Sequence, residues 1–296
     1  MFGFDRFPAN RRGKGLTFMD PKTTRDLARA AEAIRNADAL LIGAGAGMGV
    51  DSGLPDFRGN QGFWNAYPLY GQLGFSFAQL ANPRWFYDDP QFAWGFYGHR
   101  LNLYRTTQPH DGFAILKRWS ESRPLGGFVF TSNVDGQFQR AGFDADRIVE
   151  CHGAIDRLQC FKDCGKDIFP ADAFEIEVSP ETFRAVDPLP KCPRCGGLAR
   201  PNILMFGDSG WDDLIARRQE GALSRWLGQL QGARVALVEL GAGTAIPSVR
   251  HLCESVASAS GGTLIRINVR EHETQSEHIG LPIGALEALR EIDARL

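Results

Sequence analysis

The segment that decides the fold is residues 40–59, which read LLIGAGAGMGVDSGLPDFRG. Residues 39–42 (ALLI) are apolar and run directly into a turn with four glycines, Gly43, Gly45, Gly47 and Gly49. A buried parallel strand that ends in a glycine-rich turn presents main-chain N–H groups to an anion. The segment therefore predicts a strand followed by an anion-binding turn, and a helix is expected to resume after it.

This turn differs from the two commonest phosphate-binding motifs. The third glycine of G-x-G-x-x-G would have to be Met48, Val50 or Ser52, and the Lys-Ser/Thr ending of a P-loop is absent. Hydride-transfer and NTPase functions are therefore disfavoured. Taken alone, the turn is equally compatible with a plain connection between a strand and a helix.

A second cluster, Asp56-Phe57-Arg58, follows directly after Pro55. The residue before a proline is biased away from helix, so this segment is not expected to be helical at its start. One carboxylate, one aromatic ring and one guanidinium cannot all serve a simple phosphate site. The cluster suits a ligand that has a ring and a sugar as well as phosphates.

The rest of the chain alternates between short apolar runs and helical patterns. Strands are predicted at residues 127–131, 147–151, 235–240 and 263–269, and helices at residues 20–37 and 112–120. This alternation predicts an α/β fold, an open parallel sheet with helices on both faces. Residues from about 60 to 110 are dense in aromatic side chains and predict a helical module.

Composition and charge exclude several classes of protein. The chain has 296 residues, 43% of them apolar, with 33 basic and 35 acidic side chains. Bulk charge therefore predicts no nucleic-acid or membrane-surface partner. No apolar run approaches the roughly 18 residues of a membrane span, and residues 1–19 lack the apolar core of a signal peptide and are expected to form a flexible tail.

Four of the six cysteines form two close pairs, Cys160-x₃-Cys164 and Cys192-x₂-Cys195. Two such pairs predict a closed, four-thiolate structural zinc site, whereas the alternative is four unpaired thiols. Paired metal-ligand cysteines are typical of a reducing compartment, so a cytoplasmic protein is expected. Residues 158–201 are accordingly predicted to be a small zinc-binding domain, inserted in a large domain of residues 20–157 and 202–296.

Several segments together resemble one family. They are LLIGAGAGMGVDSGLPDFRG, TSNVDGQFQRAG, ECHGA, the two cysteine pairs, RPNILMFGD and LIRINVRE, in this order along the chain. The combination resembles the sirtuins, which are NAD-dependent protein lysine deacylases. The resemblance implies a Rossmann-like domain, a zinc-bearing small domain, and a cleft between them for NAD and an acylated-lysine peptide.

The resemblance also implies roles for individual residues. His152 matches the base that lets a ribose hydroxyl attack the imidate formed when the acyl oxygen displaces nicotinamide; Asn133 and Asp135 match residues that hold the nicotinamide ribose and carboxamide. A neutral-pH base is most often an imidazole. The implied cofactor contacts are Gly45, Ala46, Gly47, Asp56, Phe57, Arg58, Ser132, Gly241, Ala242, Gly243 and Asn268, and the implied peptide contacts are Phe206 and Gly207.

The sequence departs from the family pattern at several of these positions. Gly49 replaces a serine, Ser132 a glutamine, Gly241-Ala242-Gly243 a Gly-Thr-Ser, and Asp208 a glutamate, and the first cysteine pair has one extra residue. Each change is expected to remove or shorten a side chain that hydrogen-bonds the cofactor. Main-chain contacts are then expected to carry more of the binding.

Tyr97-x-x-Arg100 resembles the pair by which one sirtuin class recognises malonyl, succinyl or glutaryl groups. Residues three apart share one face of a helix, and a guanidinium with a phenol suits a carboxylate. Alternatively, Tyr97 is a core residue and Arg100 a solvated charge.

Two other functions stay open at this stage. The same cleft would suit a mono-ADP-ribosyltransferase or an NAD glycohydrolase, in which a protein side chain or water captures the ribose. A non-catalytic, zinc-stabilised NAD sensor or interaction module is disfavoured because His152 occurs together with Asn133 and Asp135.

Overall fold

The computed structural model describes residues 19–55, 64, 68–72, 74–165 and 167–296. Residues 1–18 and the predicted cofactor-loop residues Asp56, Phe57 and Arg58 lie outside the described residues. The described strands are β1 (Ala39–Ala44), β2 (Gly127–Thr131), β3 (Ile148–Glu150), β4 (Gly153–Cys160), β5 (Ile168–Pro170), β6 (Ala199–Ile203), β7 (Val235–Leu240), β8 (Thr263–Ile267) and β9 (Ile279–Leu281).

Six of these strands form one parallel sheet in the order β3-β2-β1-β7-β8-β9. Strand β1 lies at its centre between β2 and β7, and every residue of β1 is buried. An all-apolar strand such as ALLIGA is stable only where both faces of a sheet are covered. The strand order reverses between β1 and β7, which is where doubly wound sheets bind ligands.

Helices cover both faces of the parallel sheet. The described helices are α1 (Pro21–Asn36), α2 (Pro68–Gln72), α3 (Phe77–Leu80), α4 (Trp85–Asp88), α5 (Pro90–Thr106), α6 (Asp111–Glu121), α7 (Gln137–Arg140), α8 (Leu214–Gly228), α9 (Ser248–Ser260) and α10 (Ala285–Asp293). One face buries α1, α6 and α10 in a common hydrophobic core, and the other face buries α8 and α9. This confirms the predicted α/β class.

A second lobe contains the antiparallel sheet β5-β4-β6. Its core is shared with the aromatic helices α3 to α5. The two parts are also joined by side chains of α5: Trp94 Nε1 donates to the Ala199 carbonyl at 3.0 Å, and Asn102 Nδ2 donates to the Ile176 carbonyl at 2.7 Å. The helical module and the cysteine-bearing segment therefore pack as one lobe.

Two local expectations need correction. The chain does not enter a regular helix after the first glycine turn but forms two short 3₁₀ turns, Ala46–Met48 and Val50–Ser52, because the second ends at Gly53 in the left-handed region (φ 86°). Strand β9, of three residues, was too short to be predicted. Within the described part of the chain, no helix has the length and apolar character needed to cross a membrane.

Candidate active site

Two glycine turns meet where the strand order reverses. The N–H groups of Gly45 and Gly47 donate to the carbonyls of Leu240 and Gly241, at 2.9 and 3.1 Å. A Cβ on Gly45 would lie 2.7 Å from Ala242 Cα, and a Cβ on Gly241 would lie 2.4 Å from Gly47 Cα. The turns that follow β1 and β7 are therefore in direct backbone contact, which only glycine permits.

Asn133 connects the end of β2 to the first glycine turn. Its Nδ2 donates to the Gly45 carbonyl at 3.0 Å, and its main-chain N–H donates to Thr131 Oγ1 at 3.0 Å. Thr131 in turn donates to the Ala44 carbonyl at 3.0 Å. These bonds hold the half-buried Asn133 beside the turn.

His152 lies in the crossover between the two lobes. Strand β3 of the parallel sheet ends at Glu150, and β4 of the second lobe begins at Gly153. Gly153 has φ of 75°, and a Cβ there would lie 2.0 Å from the Asn202 carbonyl oxygen. The glycine of the CHG segment thus permits a close turn, and the imidazole before it is held between the lobes.

The environment of His152 favours its neutral form. Burial lowers the pKa of the imidazole, and a hydrogen bond with the Ser132 main chain raises it by less. Nε2 lies 3.4 Å from Ser248 Oγ. A ring that is neutral near pH 7 has a lone pair available, which is the requirement for a general base.

Asp135 lies two residues after Asn133 in the same loop. Burial raises the pKa of its carboxyl to about 6, and the Gln137 N–H that donates to it at 3.0 Å acts in the opposite direction. Glu150 raises this pKa further, and Arg100 lowers it. A carboxyl with a pKa near neutrality is typical of functional sites.

The second glycine turn is held by side chains from the loop after β8. Asn268, which is 3% exposed, donates from Nδ2 to the Ala242 carbonyl at 2.8 Å, and its Oδ1 accepts from two main-chain N–H groups. Glu271 accepts from the N–H and the hydroxyl of Thr244, at 3.1 and 2.6 Å. Asn268 therefore supports the turn, and contact with an adenosine ribose stays a prediction.

The segment that contains Phe206 and Gly207 follows β6. Phe206 is 39% exposed, and its N–H donates to the Ala81 carbonyl at 2.8 Å. The next side chain, Asp208, forms a bidentate ion pair with Arg200, and the two side chains are 1% and 3% exposed.

Asp208 shapes this segment from inside the protein. Its carboxylate also accepts from the N–H groups of Met205 and Gly210, at 3.2 and 3.1 Å. The expectation of a shortened side chain at the cofactor is therefore wrong for Asp208, since its buried carboxylate holds the loop through four hydrogen bonds.

Tyr97 and Arg100 lie on α5 and are 1% and 5% exposed. The interpretation of Arg100 as a solvated charge is wrong: it donates to Tyr104 OH from Nε and Nη2, and its guanidinium lies 5.3 Å from the Phe96 ring centroid. Burial raises the pKa of the Tyr97 phenol. Within the described part of the chain, the buried Tyr97 hydroxyl has no hydrogen-bond partner.

The four paired cysteines converge on one point. Their sulfurs all lie within 4.8 Å of one another, with Cys160–Cys195 at 3.7 Å and Cys164–Cys192 at 3.6 Å. Four sulfurs about 2.3 Å from a shared ion would be separated by about 3.8 Å in a tetrahedron. The donor set and spacing fit zinc, and the extra residue in the first pair does not disturb them.

The structure brings together the glycine turns, Asn133, Asp135 and His152, while the cysteines lie apart in the second lobe. Three residues that support these predicted site residues were not predicted: Tyr104, Arg200 and Glu271. Tyr104 stands four residues after Arg100 on one helix face and could have been found by that spacing. Arg200 and Glu271 carry no local signal.

A doubly wound sheet with paired glycine turns at the reversal of strand order defines the class of nucleotide-binding α/β proteins. The sequence matches the Sir2 family over residues 45–222, and the chain belongs to this family.

The relatives include NAD-dependent protein deacylases. That of Aquifex aeolicus is 33% identical over 231 residues, which cover 77% of this chain and 82% of that protein. One from Thermus thermophilus is 32% identical over 268 residues, 89% of this chain and 92% of that protein. A solved Sir2 homologue in complex with NAD superposes with a TM-score of 0.65 at 25% identity, covering 93% of each chain.

Proposed function

We propose that this protein is an NAD-dependent protein lysine deacylase that releases nicotinamide and O-acyl-ADP-ribose. The observation that carries the proposal is the position of His152, a half-buried imidazole in the crossover between the lobes, close to the end of β2. Family membership and deacylases at 33% and 32% identity support the same activity.

The residues present fit NAD as co-substrate. Two glycine turns with no room for a Cβ lie at the reversal of strand order, where a dinucleotide approaches main chain closely. When bound, NAD supplies the ADP-ribosyl group, and nicotinamide is its leaving group. The residues proposed to contact it are Gly45, Ala46, Gly47, Ser132, Asn133, Asp135, Gly241, Ala242, Gly243 and Asn268, with Asp56, Phe57 and Arg58.

Each polar residue of the cleft has a proposed task. His152 takes the proton from a ribose hydroxyl, which its lowered pKa allows at neutral pH. Asn133, held against Gly45, presents its amide carbonyl beside the turn. Asp135 keeps a carboxyl oxygen next to developing positive charge on the ribose, and its raised pKa means that the ionised form dominates above about pH 6.

The peptide substrate is proposed to lie along residues 204–207. Leu204 and Phe206 are 38% and 39% exposed, although both are large and apolar. Exposed apolar side chains beside a cleft are typical of a protein-binding surface. Pairing of an extended peptide with this segment would add a strand, a common mode of peptide recognition.

The acyl group is proposed to be acidic, namely malonyl, succinyl or glutaryl. The specific observation is the buried Tyr97 hydroxyl, which lacks a hydrogen-bond partner among the described residues, one helical turn from the buried Arg100 guanidinium. A buried phenol without a partner is costly. A carboxylate that accepts from Tyr97 and Arg100 would satisfy the phenol and add a charge-assisted hydrogen bond.

The zinc ion is proposed to be structural. Its four cysteines leave no open coordination position, so no catalytic step is assigned to it. The cysteines connect the end of β4 to the hairpin before β6, and Cys192 donates its N–H to the Gly197 carbonyl at 2.7 Å. The ion would stabilise this irregular part of the second lobe.

Product analysis tests the proposal. The protein is incubated with NAD and with acetylated, succinylated or unmodified lysine peptides, and products are identified by mass. Acyl-ADP-ribose supports deacylation, and a higher kcat/KM for succinyl-lysine supports the acidic acyl group. Free ADP-ribose without peptide, or a mass gain on protein, would instead indicate NAD glycohydrolase or ADP-ribosyltransferase activity.

Two histidine variants complete this test. His152→Ala should abolish acyl-ADP-ribose formation while zinc content and unfolding temperature stay unchanged. His251→Ala is the matched control, because His251 is exposed on α9 and outside the cleft. Full turnover by the His152 variant would refute the assignment of the base.

A further inference from the structure

A serine on α9 faces the proposed base from the other side of the cleft. Ser248 is the first residue of this helix, and its Oγ lies 3.4 Å from His152 Nε2. Pro247 stands at the N-cap position, and no side chain caps this helix end. The Ser248 hydroxyl is thus not used as a helix cap and is available to the imidazole.

The position of Ser248 is fixed by the residues that follow it. Val249 is 1% exposed and packs so closely on β1 that a Cβ on Gly43 would lie 2.9 Å from Val249 Cγ1. Arg250 donates from Nε to the Ala242 carbonyl at 3.2 Å. Because α9 is anchored to both β1 and the second glycine turn, the backbone that carries the Ser248 hydroxyl is held beside the ring.

We propose that Ser248 is a positioning residue for His152, an inference that rests on the proposed deacylase function. The imidazole keeps its proton toward the Ser132 main chain and presents the Nε2 lone pair to the Ser248 hydroxyl. Donation to this lone pair favours the neutral ring and fixes its rotation. When a ribose hydroxyl reaches Nε2, it replaces the Ser248 donor on a base that is already oriented.

The charged groups on the elements around His152 are bonded to partners other than its ring. Glu150 on β3 pairs with Arg157, and Arg250 is bonded to Ala242 and lies 3.8 Å from a Glu271 oxygen. Asp135, in the loop after β2, is bonded to the Gln137 N–H. The neutral contacts of Ser132 and Ser248 therefore act directly on the ring.

The decisive measurement needs no turnover. The His152 ring is titrated by NMR in the full-length zinc-loaded protein, and its resonance is assigned with His152→Ala. Ser248→Ala should raise the pKa of His152 by about 0.5 to 1 unit, because one hydrogen bond to the neutral form is lost. Ser248→Thr keeps the hydroxyl and should restore the wild-type titration.

Activity assays give a second readout. If the base acts after nicotinamide has left, Ser248→Ala should slow acyl-ADP-ribose formation by about three- to tenfold. Exchange of labelled nicotinamide into NAD should stay within about twofold of wild type, and the acid limb of kcat/KM should move to higher pH. Ser255→Ala, a serine exposed on the same helix, is the control and should match wild type throughout.

The outcomes separate this inference from the proposed function. An unchanged His152 titration in Ser248→Ala, or loss of nicotinamide exchange together with product formation, would overturn the positioning role. Failure of the threonine variant to restore the titration would overturn it as well. If the wild type makes no acyl-ADP-ribose, the proposed function fails, whereas a shifted titration would still establish the contact between Ser248 and His152.

Discussion

The contact between the two glycine turns can be tested by adding a single methyl group. Gly241→Ala places a Cβ 2.4 Å from Gly47 Cα and 2.6 Å from Met48 N, and both obstacles are backbone atoms. The φ of Gly241 is 60°, in the left-handed region. Alanine in that region costs about 1 kcal/mol, and forcing atoms into a packed site adds about 1 to 3 kcal/mol.

Gly261→Ala is the matched control for this change. Gly261 has nearly the same φ, 64°, but a Cβ there meets nothing within 4 Å. Gly261→Ala should therefore lose only about 1 kcal/mol of unfolding free energy, which is the cost of placing alanine in the left-handed region. Gly241→Ala should lose about 2 to 4 kcal/mol of unfolding free energy, so the difference between the variants measures the cost of separating the turns.

Denaturant unfolding and NAD binding together provide the assay. Gly241→Ala should unfold at lower denaturant concentration than Gly261→Ala and bind NAD at least about tenfold more weakly, because about 1.4 kcal/mol lost at the site is tenfold in affinity. Equal destabilisation of the two variants would refute the backbone contact. Wild-type NAD affinity in a folded Gly241 variant would refute the role of the turn in cofactor binding.

Three further predictions concern buried charge and metal. Burial raises the pKa of Asp135 to about 6 from 3.8, so the folded state holds the Asp135 proton more tightly than the unfolded state. The stabilisation from this proton is fully present below about pH 4, and roughly 3 kcal/mol of unfolding free energy is lost as pH rises through 6. Asp135→Asn should remove this fall in unfolding curves recorded from pH 4 to 7.5, and an unchanged slope would contradict the prediction. Asp208→Ala leaves Arg200 buried without its carboxylate and should cost about 3 to 5 kcal/mol of unfolding free energy in a urea titration. The double variant Arg200→Met with Asp208→Leu should lose less, and equal losses would argue against the ion pair. Elemental analysis should find one zinc per chain and less than half of that in Cys195→Ser, with earlier proteolysis of the second lobe; full zinc in this variant would exclude the four-sulfur site.

The predictions that the structure confirms rest on patterns within short segments of sequence. The apolar run of β1 and its glycine turn predicted the centre of the sheet, because a strand buried on both faces must be continuously apolar. The cysteine spacing predicted the converging sulfurs, since each pair lies on one short turn. The same short-range patterns of hydrophobic residues predicted the α/β class, which the parallel sheet confirms.

Two errors concern charged side chains that the fold buries. The motif alone places Asp208 at the cofactor, yet Arg200, eight residues earlier on β6, pairs with its carboxylate inside the protein. Arg100 was considered a solvated charge as one alternative, but the aromatic helices of the second lobe enclose it. The spacing of four residues pairs Arg100 with Tyr104, but spacing alone does not tell that this helix face is buried.

Residue type and short spacing were enough to predict the parallel sheet, the four cysteine ligands and the histidine at the end of a strand. Three contacts emerge only in the folded chain: the turns after β1 and β7 touch, Asn133 bonds Gly45, and Ser248 faces His152 across 96 residues of chain. Such contacts depend on the order of strands in the sheet. That order is set by how whole elements bury their apolar faces together.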